Sequence, residues 1–324
     1  MMTERNQLID NLRGVSMIVI ILTHTTAFFP GDKVAYLLWN WSHFAVPIFL
    51  FCSAYLFLKK SDDKPLHFFS YLKKRVVRLL LPYYLFFFFF LIALFFISPH
   101  VISTKYILQS ILLLGGTDIN WLVLLFLYVT VLLPFFTWSS KKSKYLFWLY
   151  FILSIGSAYL LLFYQIPLSY KLVMWLPWSV MLYFTWFYMK HEQKQKTLVW
   201  LFVLCCLSFV STDIILKTMH HSTVLIHNKY PPNIFYLSYG MVILLGLTFL
   251  NRYLFANKII QKIVHFFSKY SYSIFFLHYI ILTILAVFIK PWQLHWLSFF
   301  ILVLALTILL QNAYLWVRIK LHYG

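Results

Sequence analysis

The sequence predicts an all-α, polytopic membrane protein with about ten transmembrane helices, on three observations. First, of its 324 residues 62% are hydrophobic, 22% aromatic and only 11% charged, with a mean hydropathy of +0.81. A soluble domain is about a quarter charged. Second, ten apolar stretches run near residues 12–30, 38–58, 79–97, 120–138, 145–164, 172–189, 197–215, 233–250, 271–289 and 296–317. Each approaches the ~20 residues a helix needs to cross the bilayer core. They are continuous, and about twice the length of a barrel strand, which selects helices over a barrel. Third, with the N-terminus in the cytoplasm, 21 of the 27 Lys and Arg fall on the inner side, as the positive-inside bias requires. That split predicts both termini in the cytoplasm, and the chain reads as a single domain over residues 1–324.

The first stretch contains Arg13 and shows no small-residue cleavage site, so it is expected to be a retained helix. Residues 59–78 form a strongly basic inner loop. Residues 98–119, with Gly115-Gly116-Thr117-Asp118, and residues 216–232 are the longer outer loops. Residues 251–270 are amphipathic, with Ile259, Ile260, Ile263, Val264 and Phe267 set against Lys258, Lys262 and Lys269, and are expected to lie along the inner surface. The Phe86–Phe90 run reads as lipid-facing bulk. Cys52, Cys205 and Cys206 all lie in apolar runs and suggest packing, not a disulfide. The net charge of +19 does not point to nucleic acid, because the cations cluster between apolar runs. No metal set is expected: His220, His221 and His227 lack acidic or Cys partners at ligand spacing and read as a solvated loop.

Five places interrupt the apolar pattern with chemistry. Arg13 and His24 share the first stretch, and eleven helical steps of 1.5 Å set them about 16 Å apart in depth. An ionisable group inside a membrane is a functional candidate by default, although a snorkelling anchor and a packed histidine account for the pair equally well. Asp10 lies three residues before Arg13, where it would orient the guanidinium or cap the helix. Arg75 and Arg78, in Lys73-Lys74-Arg75-Val76-Val77-Arg78, stand one turn apart and suit bidentate phosphate contact better than lysines would. Ser271-Tyr272-Ser273 leads to His278, whose plainer reading is a helix–helix hydrogen bond. The stretch Val46 to Leu56, containing Ser53, and Trp121 to Tyr128 with Pro134 downstream read physically as membrane helices with small or polar interruptions.

The order of these elements along the chain resembles the acyltransferase-3 family, multi-pass membrane enzymes that acylate carbohydrates. Arg13 and His24 match its Arg-(x)₁₀-His pair, Arg75 and Arg78 its Arg-x-x-Arg pair, and His278 the histidine of its late Ser-Tyr motif. Ala54 departs from a glycine usual there. No fused extracytoplasmic domain of the kind that some members carry is expected here, so the membrane part is expected to handle the acceptor.

The resemblance implies an O-acyltransferase, most often an O-acetyltransferase, of the plasma membrane of a bacterium. The implied donor is acetyl-coenzyme A or another short acyl-CoA, a co-substrate with no permanently bound cofactor. The implied acceptor is a surface polysaccharide or lipid-linked glycan, with membrane lipid as the surrounding partner. Arg75 and Arg78, with Arg13, are expected to meet the donor's phosphates at the inner face. The pantetheine arm matches the Arg13–His24 offset, and His24 is expected to act as general base, with an acyl-histidine relay as an alternative. Ser53, Trp121, Ser271 and Tyr272 complete the expected site. The rival class is a polysaccharide exporter or flippase without acyl transfer, and a weaker one is a sensor without turnover.

Overall fold

A computed structural model describes residues 6–63, 67–164 and 166–323. Among these residues every named element is helical, and the β structure is confined to an isolated bridge between Lys229 and Pro232. The helices are α1 (Gln7–Thr26), α2 (Lys33–Trp41), α3 (Ala45–Asp63), α4 (Phe68–Ile97), α5 (Thr104–Ile111), α6 (Asn120–Lys142), α7 (Lys144–Leu160), α8 (Tyr170–Val173), α9 (Trp175–Trp178), α10 (Val180–His191), α11 (Gln195–Thr218), α12 (Ile234–Leu254), α13 (Lys258–Lys269), α14 (Ser271–Phe288) and α15 (Trp296–Tyr323). A helix satisfies its own backbone, which is why apolar segments in lipid adopt it.

Among the described residues eight helices are long and apolar enough to cross a membrane, with α2 and α3 counted as one across the single turn at Ser42–Phe44. They coincide with eight of the ten apolar stretches. The other two fall outside that count. Residues 145–164 supply only the 17-residue α7. Residues 172–189 are divided among α8, α9 and α10. Pro177 explains the first break: it has no N–H to offer the Val173 carbonyl, and its ring crowds that oxygen, so α8 stops at Val173.

The chain forms two compact units interleaved in sequence. The first comprises Met1–Ala45, Pro82–Thr104 and Asn251–Gly324. In it α1 packs on α13, α14 and α15. Gly14 makes the α1–α13 approach possible, since a Cβ there would run into the backbone oxygen and side chain of Val264. Asn11 Nδ2 donates to Asn251 Oδ1 at 3.0 Å, and Ser273 Oγ donates to Gln311 Oε1 at 2.7 Å, tying α14 to α15. The amphipathic α13 buries Val264 and Phe267 and leaves Ile259, Ile260 and Ile263 exposed.

The second unit comprises Val46–Leu81 and Lys105–Leu250. Its core brings α7 against α6, α9 and α10. Tyr183 Oη donates to the Phe147 carbonyl at 2.7 Å. Tyr55 Oη donates to Glu192 Oε2 at 2.6 Å and accepts from Lys59 Nζ at 3.1 Å, so the carboxylate is compensated. Among the described residues Cys52, Cys205 and Cys206 form no disulfide.

The Phe86–Phe90 expectation is corrected. Phe88 and Phe89 are exposed, but Phe86, Phe87 and Phe90 are buried. A helix turns 100° per residue, so a five-residue run cannot present one face throughout.

Candidate active site

His24 and His278 meet in the first unit. His24 Nδ1 lies 3.0 Å from His278 Nε2, and the rings stack with centroids 5.2 Å apart. His278 is fully buried, and its Nδ1 lies 3.0 Å from the Ile274 carbonyl one turn back along α14. Tyr279 stands edge-on to His24 at 6.5 Å. Behind it Phe90 packs on Tyr279, and Phe86 stacks on Phe276 at 4.8 Å. The hydroxyls of Thr23, Thr25 and Thr26 around His24 are satisfied by carbonyls of the preceding turn, at Val19, Ile21 and Leu22. Such back-bonding lets polar side chains sit in a membrane helix without a partner helix.

The chain of bonds assigns the protons. A carbonyl only accepts, so His278 Nδ1 carries the hydrogen that faces Ile274. A neutral imidazole has one N–H, so His278 Nε2 is the acceptor, and His24 Nδ1 donates to it. The lone pair of neutral His24 is thereby on Nε2.

Arg13 is half-buried on the same helix, and among the described residues its guanidinium has no hydrogen bond or ion pair. Asp10 does not cap α1: Asn6 does, accepting from Ile9 N at 3.3 Å. Asp10 instead accepts from Ser268 Oγ of α13 at 3.0 Å. Ser271 opens α14, and Tyr272 packs edge-on to Phe276 at 4.9 Å.

In the second unit Arg75 donates through Nη2 to Ser53 Oγ. Arg75 is half-buried and Arg78 is exposed, so the two guanidiniums differ in environment although they lie one turn apart. Trp121, the second residue of α6, is 8% exposed and packs edge-on to Tyr230 at 4.8 Å.

A family model described as an acyltransferase domain matches residues 6–311, nearly the whole chain. The chain belongs to the acyltransferase-3 family. No curated protein and no solved structure matches it. The protein is thus a membrane acyltransferase. In this acyltransferase the sequence motifs are brought together in part: His24 meets His278 across 254 positions, and Ser53 meets Arg75 across 22. Sequence reasoning missed Tyr279, although it directly follows His278, because an aromatic in an apolar helix carries no signal of its own. It also missed Lys229, a loop lysine read only as an outer-side charge. Its neighbours Asn228 and Tyr230 were no clue to the aromatic contact that Trp121 makes from 108 positions away.

Proposed function

We propose that this acyltransferase moves an acetyl group from cytoplasmic acetyl-coenzyme A to a hydroxyl of an extracytoplasmic surface glycan, with His24 as general base. The observation that carries the reading is the ordered bond chain from His24 through His278 to the Ile274 carbonyl. A base must present a lone pair in a fixed direction, and a partner on the other ring nitrogen supplies that. Nε2 of His24 takes the hydroxyl proton as the acceptor oxygen attacks the thioester carbonyl. The carbon–sulfur bond then breaks, and the imidazolium returns the proton to the leaving thiolate. The product is an ester and free coenzyme A, and His24 is neutral again. While His24 carries charge, its Nδ1–H donates a charge-assisted bond to His278, the stronger class of hydrogen bond. His278 is a positioning residue in this scheme.

Donor binding falls, on this reading, to Arg75 and Arg78 in the second unit. Arginine's planar fork suits phosphate oxygens, and the Ser53 bond limits the rotamers of Arg75. The charge bias supports placing both termini and the Arg75 turn in the cytoplasm. A glycan exporter would neither bind nor consume acetyl-coenzyme A.

The test is paired. His24→Ala should abolish release of free thiol from acetyl-coenzyme A and acetylation of surface glycans, and leave donor affinity nearly unchanged. Arg75→Ala or Arg78→Ala should weaken titrated donor binding by about 1.5–3 kcal/mol per lost contact. Near-normal turnover by the His24 variant overturns the base assignment. Undiminished donor binding by both Arg variants reduces that pair to a membrane anchor.

A further inference from the structure

Two lysines of the second unit are buried, and they differ in how they are satisfied. Lys171, 6% exposed, donates through Nζ to Asn120 Oδ1 at 2.6 Å and to the Leu113 carbonyl at 3.3 Å, and it feels the charge of Asp118. Lys229, 7% exposed, has no such partners. Its Nζ lies over the Trp121 ring at 4.8 Å and the Tyr230 ring at 5.1 Å, and among the described residues it has no carboxylate and no hydrogen-bond acceptor. Two aromatic faces attract a cation but accept none of its three N–H bonds in the ordinary sense. Buried donors are nearly always given an acceptor. A lysine that only packed would be better replaced by an apolar side chain of the same length.

The segment that presents Lys229 is fixed in place. Asn228 Nδ2 donates to the carbonyls of Ser222 and Val224 at 2.8 and 3.0 Å, and Asn233 Oδ1 accepts from Tyr236 N at 3.2 Å. Lys229 is therefore presented from an ordered segment. Beside it Tyr170 and Tyr230, both half-buried, stand with ring centroids 5.2 Å apart. Partly open aromatic rings are suited to the C–H face of a pyranose, and a few placed polar groups in an aromatic surround are the usual make-up of a ligand site.

We propose that Lys229 is the anchoring cation of a site for a carboxylate-bearing sugar, its ammonium on the carboxylate and the Tyr170 and Tyr230 rings against the sugar face. This names the acceptor class as an acidic glycan and rests on the reading of the protein as a glycan acyltransferase. No covalent step occurs at Lys229.

The experiment is calorimetric titration at pH 6, where Lys229 carries its proton and a uronate is ionised, of the purified full-length protein in detergent with tetragalacturonic acid and with its full methyl ester, which keeps the sugar rings and removes the charge. Wild type should bind the acid at least tenfold more tightly than the ester. Lys229→Met, which keeps the length of the stem, should lose that preference and bind the acid at least tenfold more weakly than wild type. Equal affinity of wild type for acid and ester, or binding of neither, overturns the proposal without needing any variant. A Lys229→Met protein that keeps the full preference overturns it too. Thiol release from acetyl-coenzyme A by wild type separates the two readings. Turnover with no preference for the acid sinks this inference alone, whereas a preference for the acid with no turnover sinks the acyltransferase reading.

Discussion

Replacing His278 by phenylalanine isolates the bond that the catalytic scheme depends on. Phenylalanine keeps a ring against His24, where the two centroids are 5.2 Å apart, and deletes the acceptor 3.0 Å from His24 Nδ1. Two things are lost. The preference for the Nδ1–H tautomer goes, and so does the bond that stabilises the imidazolium while it holds the acceptor's proton. A hydrogen bond to a charged group is worth about 1.5–3 kcal/mol, and each 1.36 kcal/mol is tenfold in rate. The expected loss in kcat is therefore about 10- to 150-fold, with KM for acetyl-coenzyme A nearly unchanged because no donor contact is touched. His24→Ala removes the proposed base and should fall to the floor of the assay. The measurement is thiol release by the purified protein, with the thermal midpoint as a check on folding. A His278→Phe enzyme within twofold of wild-type kcat would refute the positioning role.

Three further outcomes follow from the same structure. Gly14→Ala places a methyl group against the Val264 carbonyl, so α1 and α13 must separate; a loss of about 1–3 kcal/mol should appear as a lower thermal midpoint, and an unchanged midpoint would show that the contact yields freely. His221→Cys, in a background without Cys52, Cys205 and Cys206, should react with an impermeant thiol reagent from outside intact cells; reaction only after the membrane is breached would reverse the proposed orientation. Burial pushes the Lys229 amine down to about 7, so between pH 7 and the ordinary lysine range near 10.4 the unfolded chain holds a proton that the folded chain does not. Stability from this group should accordingly rise with pH above 7, by up to ~1.4 kcal/mol per unit, and be flat below it. Around it, burial raises the hydroxyl of Tyr230, over which Lys229 lies, and that of Tyr170 against Tyr230, the latter to about 12, and lowers the amine of Lys171, the next residue after Tyr170. The Asp118 carboxylate acts on Tyr170, Lys171 and Tyr230. Because Lys171 contributes with the same sign, the readout is the difference from Lys229→Met between pH 7 and 9, and parallel curves for the two proteins would refute the burial of the charge.

Much of this protein is written in local pattern. A span is a run of ~20 apolar residues, and eight of the ten stretches are helices of that kind. The motif residues Arg13, His24, Arg75, Arg78 and His278 were legible because a charge or imidazole in an apolar run stands out against its surroundings. Where pattern failed, the deciding interaction was not local. Pro177 acts on a carbonyl four residues back, which hydropathy averages away, and so the sixth stretch is broken. The Phe86–Phe90 run has one hydropathy but two faces, and only packing distinguishes the buried Phe86 and Phe90 from the exposed Phe88 and Phe89. Asp10 looked like a partner for Arg13 by helical spacing, but Ser268 of another helix reaches it. Composition and spacing alone determined that the chain lives in a membrane as helices, and which side chains are chemically out of place there. Only the tertiary structure decided that His24 and His278 share a hydrogen bond, because such a bond depends on a distance near 3 Å between residues 254 positions apart, and no periodicity along the chain encodes that distance.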